Sequence, residues 1–456
     1  MGTAAAILDI KESDKKVLRR NVINIAWPAV TELILISLVG AIDMIMVGKL
    51  GAAAIASIGL TNQPIFLIMA IFQALNVGGT AIVSREIGAG NVGEANKATR
   101  HVIIITSILS VLIIIPAMIY VTQIYKFMGA DQDVIDIGLN YFKVALIGII
   151  FQNISLAVAA VLRGSGDTKS PMMINVGANI INVIMNYLLI FGMFGAPQLG
   201  VTGAGVATLL ARMLGMIFLI GILASGRTVL RLRFKNFFSW DQSMMKKVIK
   251  IGLPSAAEQL VLRTGNLTFV RIIAGLGTVI YASHQIAISI LSLSFTTGMA
   301  FAMAASALIG QSLGAEKREL AEAYGKEVRF LGSVVATTIG VLFFIFSEQI
   351  IGLYSSDPAV IKNASIALRM IAIIQPFQSS QLILAGGLRG AGDTKWPLLS
   401  TMAGIWGIRV TLGILFVLVF KMGLFGAWLA ICVDQVIRYC ILYMRFRTGK
   451  WKYVKI

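Results

Sequence analysis

Leu162-Arg163-Gly164-Ser165-Gly166-Asp167-Thr168-Lys169-Ser170-Pro171 recurs 226 positions later as Leu388-Arg389-Gly390-Ala391-Gly392-Asp393-Thr394-Lys395-Trp396-Pro397, with eight of ten residues identical. The register extends well beyond the decapeptide. Pro28 and Glu32 map onto Pro254 and Glu258, Gly51 onto Gly277, Ser57 onto Ser283, Gly88 onto Gly314, Asp131 onto Asp357, and Phe151-Gln152 onto Phe377-Gln378. Past about residue 195 the offset slips to 223, where Gly200 and Gly203-Ala204 meet Gly423 and Gly426-Ala427. One register held this long describes a duplicated unit of about 225 residues, and it decides the architecture before local propensity does.

Composition tells what kind of unit was duplicated. Of 456 residues 57% are hydrophobic and only 13% charged, and mean hydropathy is +0.85. A soluble domain carries about a quarter charged residues, so this chain belongs in a bilayer. Apolar stretches long enough to cross a hydrocarbon core of ~30 Å fall at roughly 22–47, 54–82, 102–124, 138–161, 171–194 and 200–224. They repeat at roughly 249–274, 279–309, 328–348, 362–386, 397–419 and 424–444. The expected fold is an all-α polytopic membrane protein of twelve spans in two six-helix lobes. An even number per half gives both halves the same orientation. The organisation reads as a cytoplasmic tail (1–21), an N-lobe (22–224), a basic cytoplasmic linker (225–248), a C-lobe (249–444) and a basic cytoplasmic tail (445–456).

Lys and Arg set the orientation. The N-terminal tail carries Lys11, Lys15, Lys16, Arg19 and Arg20, with no small-residue cleavage site ahead of the first apolar stretch. The linker carries Arg227, Arg231, Arg233, Lys235, Lys246 and Lys247 against Asp241 alone. The last residues add Arg445, Arg447, Lys450, Lys452 and Lys455, whereas the third connection holds Asp131, Asp133 and Asp136. Both termini are therefore expected in the cytoplasm, in a multi-pass protein of the cell inner (plasma) membrane. The net charge of +18 is topogenic, so the expected partners are the lipid bilayer and small organic molecules, with no nucleic acid. Cys432 and Cys440 lie in one apolar run and suggest neither a disulfide framework nor a metal site.

Several classes of activity lack their chemistry. Each Gly-Lys pair (Gly48-Lys49, Gly325-Lys326, Gly449-Lys450) is followed by a residue other than Ser or Thr, so there is no phosphate-binding loop. His101 and His284 have no zinc-protease context, and no Asp-Asp pair is present to hold a metal diphosphate. A secondary transporter that works without a cofactor remains, and an enzyme is not expected.

An ionisable group at the bilayer centre costs on the order of 3 kcal/mol, so the few present need a reason. Asp43 lies in the first span, and its repeat mate is Phe269. Glu32 and Glu258 are repeat-related, each four residues past a proline, and suit either a structural tie or a substrate contact. Asn175, Asn179, Asn182 and Asn186 share one face of the fifth span. In the second half Asn182 and Asn186 meet Ile408 and Leu412, so the amide stripe is confined to one lobe. Asp43 with Asn182 and Asn186 could hold Na⁺, a cation that prefers oxygen ligands, or Asp43 could take up a proton. An amide-rich pocket tilts this reading toward Na⁺. The second lobe offers Glu258, Arg263, Asn266 and Arg271 in the seventh span, Ser283-His284-Gln285 opening the eighth, and Gln375 and Gln378 in the tenth. Arg409 and Asp434 are expected to pair, and His284 to hydrogen-bond at an interface.

Taken together, the duplicated Leu-Arg-Gly-x-Gly-Asp-Thr-Lys-x-Pro, Ala26-Trp27-Pro28 with Glu32, Asp43, Ala274-Gly275-Leu276-Gly277 and Ala282-Ser283-His284-Gln285 resemble the multidrug and toxic compound extrusion (MATE) family. So do Gly310-Gln311-Ser312-Leu313-Gly314-Ala315, Trp406 with Arg409, and Gly426-Ala427-Trp428. The resemblance implies two six-helix lobes around a V-shaped cavity, and export of organic, often cationic amphipathic drugs or toxins in exchange for Na⁺ or H⁺. It places the cation site at Asp43, Asn182, Asn186 and Thr208, leaves Glu258, Gln285, Gln378 and Glu32 as polar or substrate positions, and fits a monomer. Asn186 stands where the DinF-like branch often has aspartate. The C-lobe acids of the NorM-like branch are missing, because Leu262 stands near the deeper seventh-span position and the tenth span has only Gln375 and Gln378. A flippase for lipid-linked precursors, from the same superfamily of folds, is the alternative reading.

Overall fold

The computed structural model describes residues 13–232 and 240–455, so Lys11 of the N-terminal tail and Arg233 and Lys235 of the linker lie outside the described residues. Twelve long helices dominate what is described, and no strand occurs among the described residues. The first half has α1 (Lys15–Gly48), α2 (Ala52–Gly88), α3 (Val92–Ile119), α4 (Gln132–Gly164), α5 (Lys169–Phe191) and α6 (Gly200–Ser225). The second has α7 (Gln242–Ala274), α8 (Thr278–Gly314), α9 (Arg318–Ile345), α10 (Pro358–Gly390), α11 (Lys395–Val419) and α12 (Gly423–Arg447).

Eleven of these are long and apolar enough to cross a membrane among the described residues. The exception is α7, whose 33 residues suffice in length but include Glu258, Arg263, Asn266 and Arg271. The chain is thus a multi-pass membrane protein. Several helices outrun their apolar cores. The first begins at Lys15, where residues through 21 read as tail, because Leu18, Val22, Ile25 and Ala26 bury their side chains against Ala304, Leu308, Tyr324 and Val328. Arg19 pairs with Glu327 there, and Asn21 donates to the Tyr324 hydroxyl at 3.0 Å.

The chain forms two compact units. One comprises Thr31–Glu86 and Asn91–Ile249; the other comprises the chain up to Val30, Ile87–Gly90 and Lys250 onward. α1 is therefore shared, and it changes unit two residues past Pro28, a residue that removes a helix hydrogen bond. The N-terminal unit packs around Ile65, Phe72, Ile114, Tyr125, Phe142 and Leu146. The C-terminal unit packs around Phe269, Ile273, Leu368, Ile371, Trp428 and Ile431. Ahead of α7, Asp241 accepts from the backbone N–H groups of Met244 (3.1 Å) and Ser243 (2.9 Å), which holds its carboxyl below the usual range. Its own N–H donates to Nε2 of buried His101 at 2.8 Å.

The repeated decapeptide performs the same job in both units. The Asp167 N–H donates to the Leu162 carbonyl at 3.0 Å, and the Asp393 N–H to the Leu388 carbonyl at 2.8 Å. Gly166 and Gly392 turn the chain at φ +91° and +83°, a region open to glycine without strain. The other conserved glycine allows close helix contact. A Cβ on Gly164 would meet the Thr80 carbonyl oxygen at 2.9 Å, and one on Gly390 the repeat-related Ser306 carbonyl oxygen at 2.2 Å. Neither backbone oxygen can swing away, so Gly390→Ala is expected to lower stability by about 1–3 kcal/mol. Gly177→Ala, with nothing within 4 Å, is the control. Thermal unfolding in detergent checks this, and equal midpoints would refute the close-packing role.

Candidate functional site

The N-terminal unit gathers four sequence-expected residues. Asp43 comes from α1, Asn182 and Asn186 from α5, and Thr208 from α6. The four-residue spacing puts the two asparagines on one face, and both are buried. Asn186 Nδ2 donates to Asp43 Oδ1 at 2.6 Å. The Asn182 amide is best satisfied with its nitrogen donating to Asp43 Oδ2 at 3.2 Å, its oxygen then accepting from the Thr208 N–H at 3.3 Å and hydroxyl at 3.2 Å. Both carboxylate oxygens are thus held by amide N–H groups. Asn186 Oδ1 is buried without a partner among the described residues. The amide stripe itself divides, since Asn175 donates to Glu32 at 2.6 Å and Asn179 is half-buried between the two groups.

Sequence reading missed two neighbours of Asp43. Arg212 of α6 and Tyr141 of α4 lie within electrostatic reach of it. Glycines make the room, because a Cβ on Gly148 would meet Arg212 Nη1 at 3.4 Å and one on Gly205 would meet Tyr141 Cδ2 at 3.0 Å. The signal was present, for an arginine in the middle of a hydrophobic span needs a reason as much as an acid does.

Glu32 and Glu258 are held alike. Arg163 approaches Glu32 to 3.7 Å, and Arg389 donates to Glu258 at 2.7 Å. The second ligand is also repeat-related: Asn175 on Glu32, and the Thr401 hydroxyl donating to Glu258 at 3.2 Å. These contacts favour the structural reading of both glutamates. In the C-terminal unit the network continues, as Arg438 donates to the Thr401 oxygen at 2.9 Å. Arg409 pairs with Asp434 as expected (Nε to Oδ2, 2.9 Å) and donates to Asn266 Oδ1 at 2.8 Å. Arg438 was another residue that sequence reading missed.

The other candidates stay apart. Gln285 is exposed near the start of α8, Gln378 is buried within α10, and neither bonds Glu258 among the described residues. His284 corrects an expectation: it sits in the interior of the C-terminal unit, its ring 5.5 Å from that of Trp428 and 6.5 Å from Phe269. The bulk of those two rings buries it. Among the described residues no three His, Cys, Asp or Glu side chains cluster as a metal site.

Comparison with known proteins agrees with this duplicated plan. The MatE family model matches twice, at residues 28–188 and 254–415, once per half. A probable multidrug resistance protein NorM from Thermotoga maritima is 30% identical over 435 residues, covering 95% of this chain and 93% of that protein. An uncharacterised transporter, YisQ, from Bacillus subtilis is 29% identical, with 94% of each chain covered. The solved outward-facing conformation of a multidrug resistance MATE family transporter superposes with a TM-score of 0.89 at 22% identity, covering 100% of this chain and 99% of that one.

Breaking the tighter glutamate–arginine pair tests its structural role. Arg389→Ala strands a buried carboxylate, and a loss of about 3–5 kcal/mol is expected, against a smaller loss for Arg163→Ala with its longer contact. The double variant Glu258→Leu/Arg389→Met is expected to be more stable than Arg389→Ala alone. Chemical or thermal unfolding of the purified variants decides, and a double variant as unstable as the single one refutes the pairing.

Proposed function

Because the chain belongs to the MatE family of multidrug efflux transporters, we propose that it exports organic, largely cationic amphipathic drugs or toxins in exchange for an inward-moving cation, and that Asp43 is the coupling carboxylate. What carries this reading is the one acid of α1 without an acidic repeat mate, oriented through both oxygens by α5 amides. A site able to bind and release one cation needs a charged form that is stable but not locked. Asp43 meets this, because its amide partners are neutral, whereas Glu32 and Glu258 each have an arginine.

The exchanged cation is a proton on this reading. Na⁺ requires oxygens directed at it, by analogy with other hard cations, so Asn182 and Asn186 would both have to turn their amides. A proton needs no such turn: it attaches to a carboxylate oxygen while the amides stay as they are. The tilt toward Na⁺ suggested by the amides alone is outweighed by the direction of their N–H groups. We place both termini in the cytoplasm on the strength of the basic residues around the linker and the C-terminus, and read the working unit as one chain.

Transport of ethidium into everted vesicles tests both halves of the proposal. An imposed pH gradient is expected to drive wild-type transport where a Na⁺ gradient alone does not. Asp43→Asn, inserted at normal abundance, is expected to lose coupled transport by a factor of ten or more, on the order of the 1.4 kcal/mol per decade that links rate to free energy. Normal transport by this variant would remove Asp43 from the mechanism. Transport driven by Na⁺ alone would overturn the proton assignment.

A further inference from the structure

Past their prolines, repeat-related helices α1 and α7 carry net charge of opposite sign. α1 has Asp43 and no basic residue between Arg20 and Lys49, whereas α7 has Arg263, whose repeat mate is Ser37. Arg263 is exposed, and no ion pair or hydrogen bond of its side chain is found among the described residues. It stands five residues past Glu258, the midpoint of α7, or ~8 Å at 1.5 Å per residue, within a hydrocarbon core of ~30 Å. Arg271, three residues from the helix end, can reach an interface; Arg263 cannot do so as easily. An arginine at this depth faces water or a ligand and not lipid tails.

The surroundings of Arg263 define what would complete it. Gln259 and Asn266, at spacings of four and three, share its face of α7 and are half-buried. The adjoining face exposes Leu260 (48%) and Leu267 (71%). Asn266 already accepts from Arg409, so no side-chain oxygen on this face is left for Arg263 except that of Gln259. The two carboxylates in the middle of this unit's helices, Glu258 and Asp434, are committed to Arg389 and Arg409. Among the described residues this face of α7 therefore supplies a guanidinium, an amide and flanking leucines, but no acid.

We infer that Arg263 binds a carboxylate carried by an amphipathic substrate, with Gln259 as a second polar contact and Leu260 and Leu267 against its apolar body. A guanidinium engages a carboxylate through two parallel N–H donors, a geometry an amide cannot reproduce. The inference rests on the efflux reading and narrows it: the substrates include zwitterions, whose acid meets α7 of the C-terminal unit.

The test compares three compounds: norfloxacin, which has a carboxylate and an amine; its ethyl ester, which lacks the carboxylate; and ethidium, a cation alone. Binding to purified protein and transport into everted vesicles are both measured. Arg263→Gln is expected to weaken norfloxacin binding about tenfold, one decade in Kd, while ester and ethidium change less than twofold. Arg263→Lys should restore part of the loss. Equal weakening of all three compounds, or of none, overturns the proposal. Repeating the measurement with and without phosphatidylglycerol separates another source of negative charge: if the effect of Arg263→Gln appears only with that lipid, its phosphate is the occupant and the substrate assignment fails. Norfloxacin binding that depends on Arg263 in a protein exporting none of the three sinks the efflux reading and leaves the carboxylate site standing.

Discussion

Each unit is pinned by a buried carboxylate that it cannot leave unpaired. Glu32 and Glu258 lie where water cannot solvate them, and a buried charge without a partner is far more costly than a missing apolar contact. Satisfying it fixes three helices at once. The glutamate comes from the first helix of the half, four residues past its proline, the arginine from the end of the fourth helix, and the second ligand from the fifth. The decapeptide then follows in physical terms: its arginine meets the acid, its first glycine admits a neighbouring backbone, and its second glycine turns the chain. The two versions divide the load differently, since Asn175 holds Glu32 at 2.6 Å where Arg163 stands off at 3.7 Å, while in the second half Arg389 is the closer ligand at 2.7 Å.

On this common frame the two halves have diverged in the residues that bear charge. Asp43 faces Phe269 across the repeat, and Arg263 faces Ser37. One unit holds an acid oriented by neutral amides; the other holds arginines in excess of acids along its helices. Duplication supplies the helices and their ties, and divergence at a few positions supplies two different electrostatic environments. Such asymmetry suits the proposed exchange, in which a cation and an organic molecule would be handled by different contacts.

Much of this was legible in the chain. The repeat and the hydropathy together specify the all-α, two-fold plan, with α7 read as a span at 249–274 despite Glu258, Arg263, Asn266 and Arg271 in its sequence. Asp43 and Asn186 were legible because polarity inside a hydrocarbon layer is conspicuous. Their neighbours Arg212 and Tyr141 were not, because sequence shows that a buried charge needs a partner but not which helix face will meet it. The same gap hid Arg438 behind Thr401. The helical start of α1 was hidden for another reason: residues 15–21 are basic and lie ahead of the apolar stretch, and the burial of Leu18 and Val22 extends the helix through them. His284 was expected at an interface on the strength of its polarity, while the two rings that bury it lie 15 residues before and 144 after it in the chain.

The hydrogen-bonding pattern of α11 also limits how far the duplication can be pressed. Ala403–Val410 and Ile414–Val419 are wound as π-helix, with wider turns than α5 possesses. α11 runs for 25 residues where α5 has 23, and each wide turn rotates every later side chain about the axis. Residues paired by counting from the decapeptide therefore drift in azimuth beyond Ala403, and Arg409 comes to look toward Asp434. A chimera that grafted α5 into the place of α11 would be two residues shorter and would set Val183 where Arg409 stands, leaving Asp434 without its arginine. The halves are interchangeable as scaffolding only as far as their helical pitch is the same.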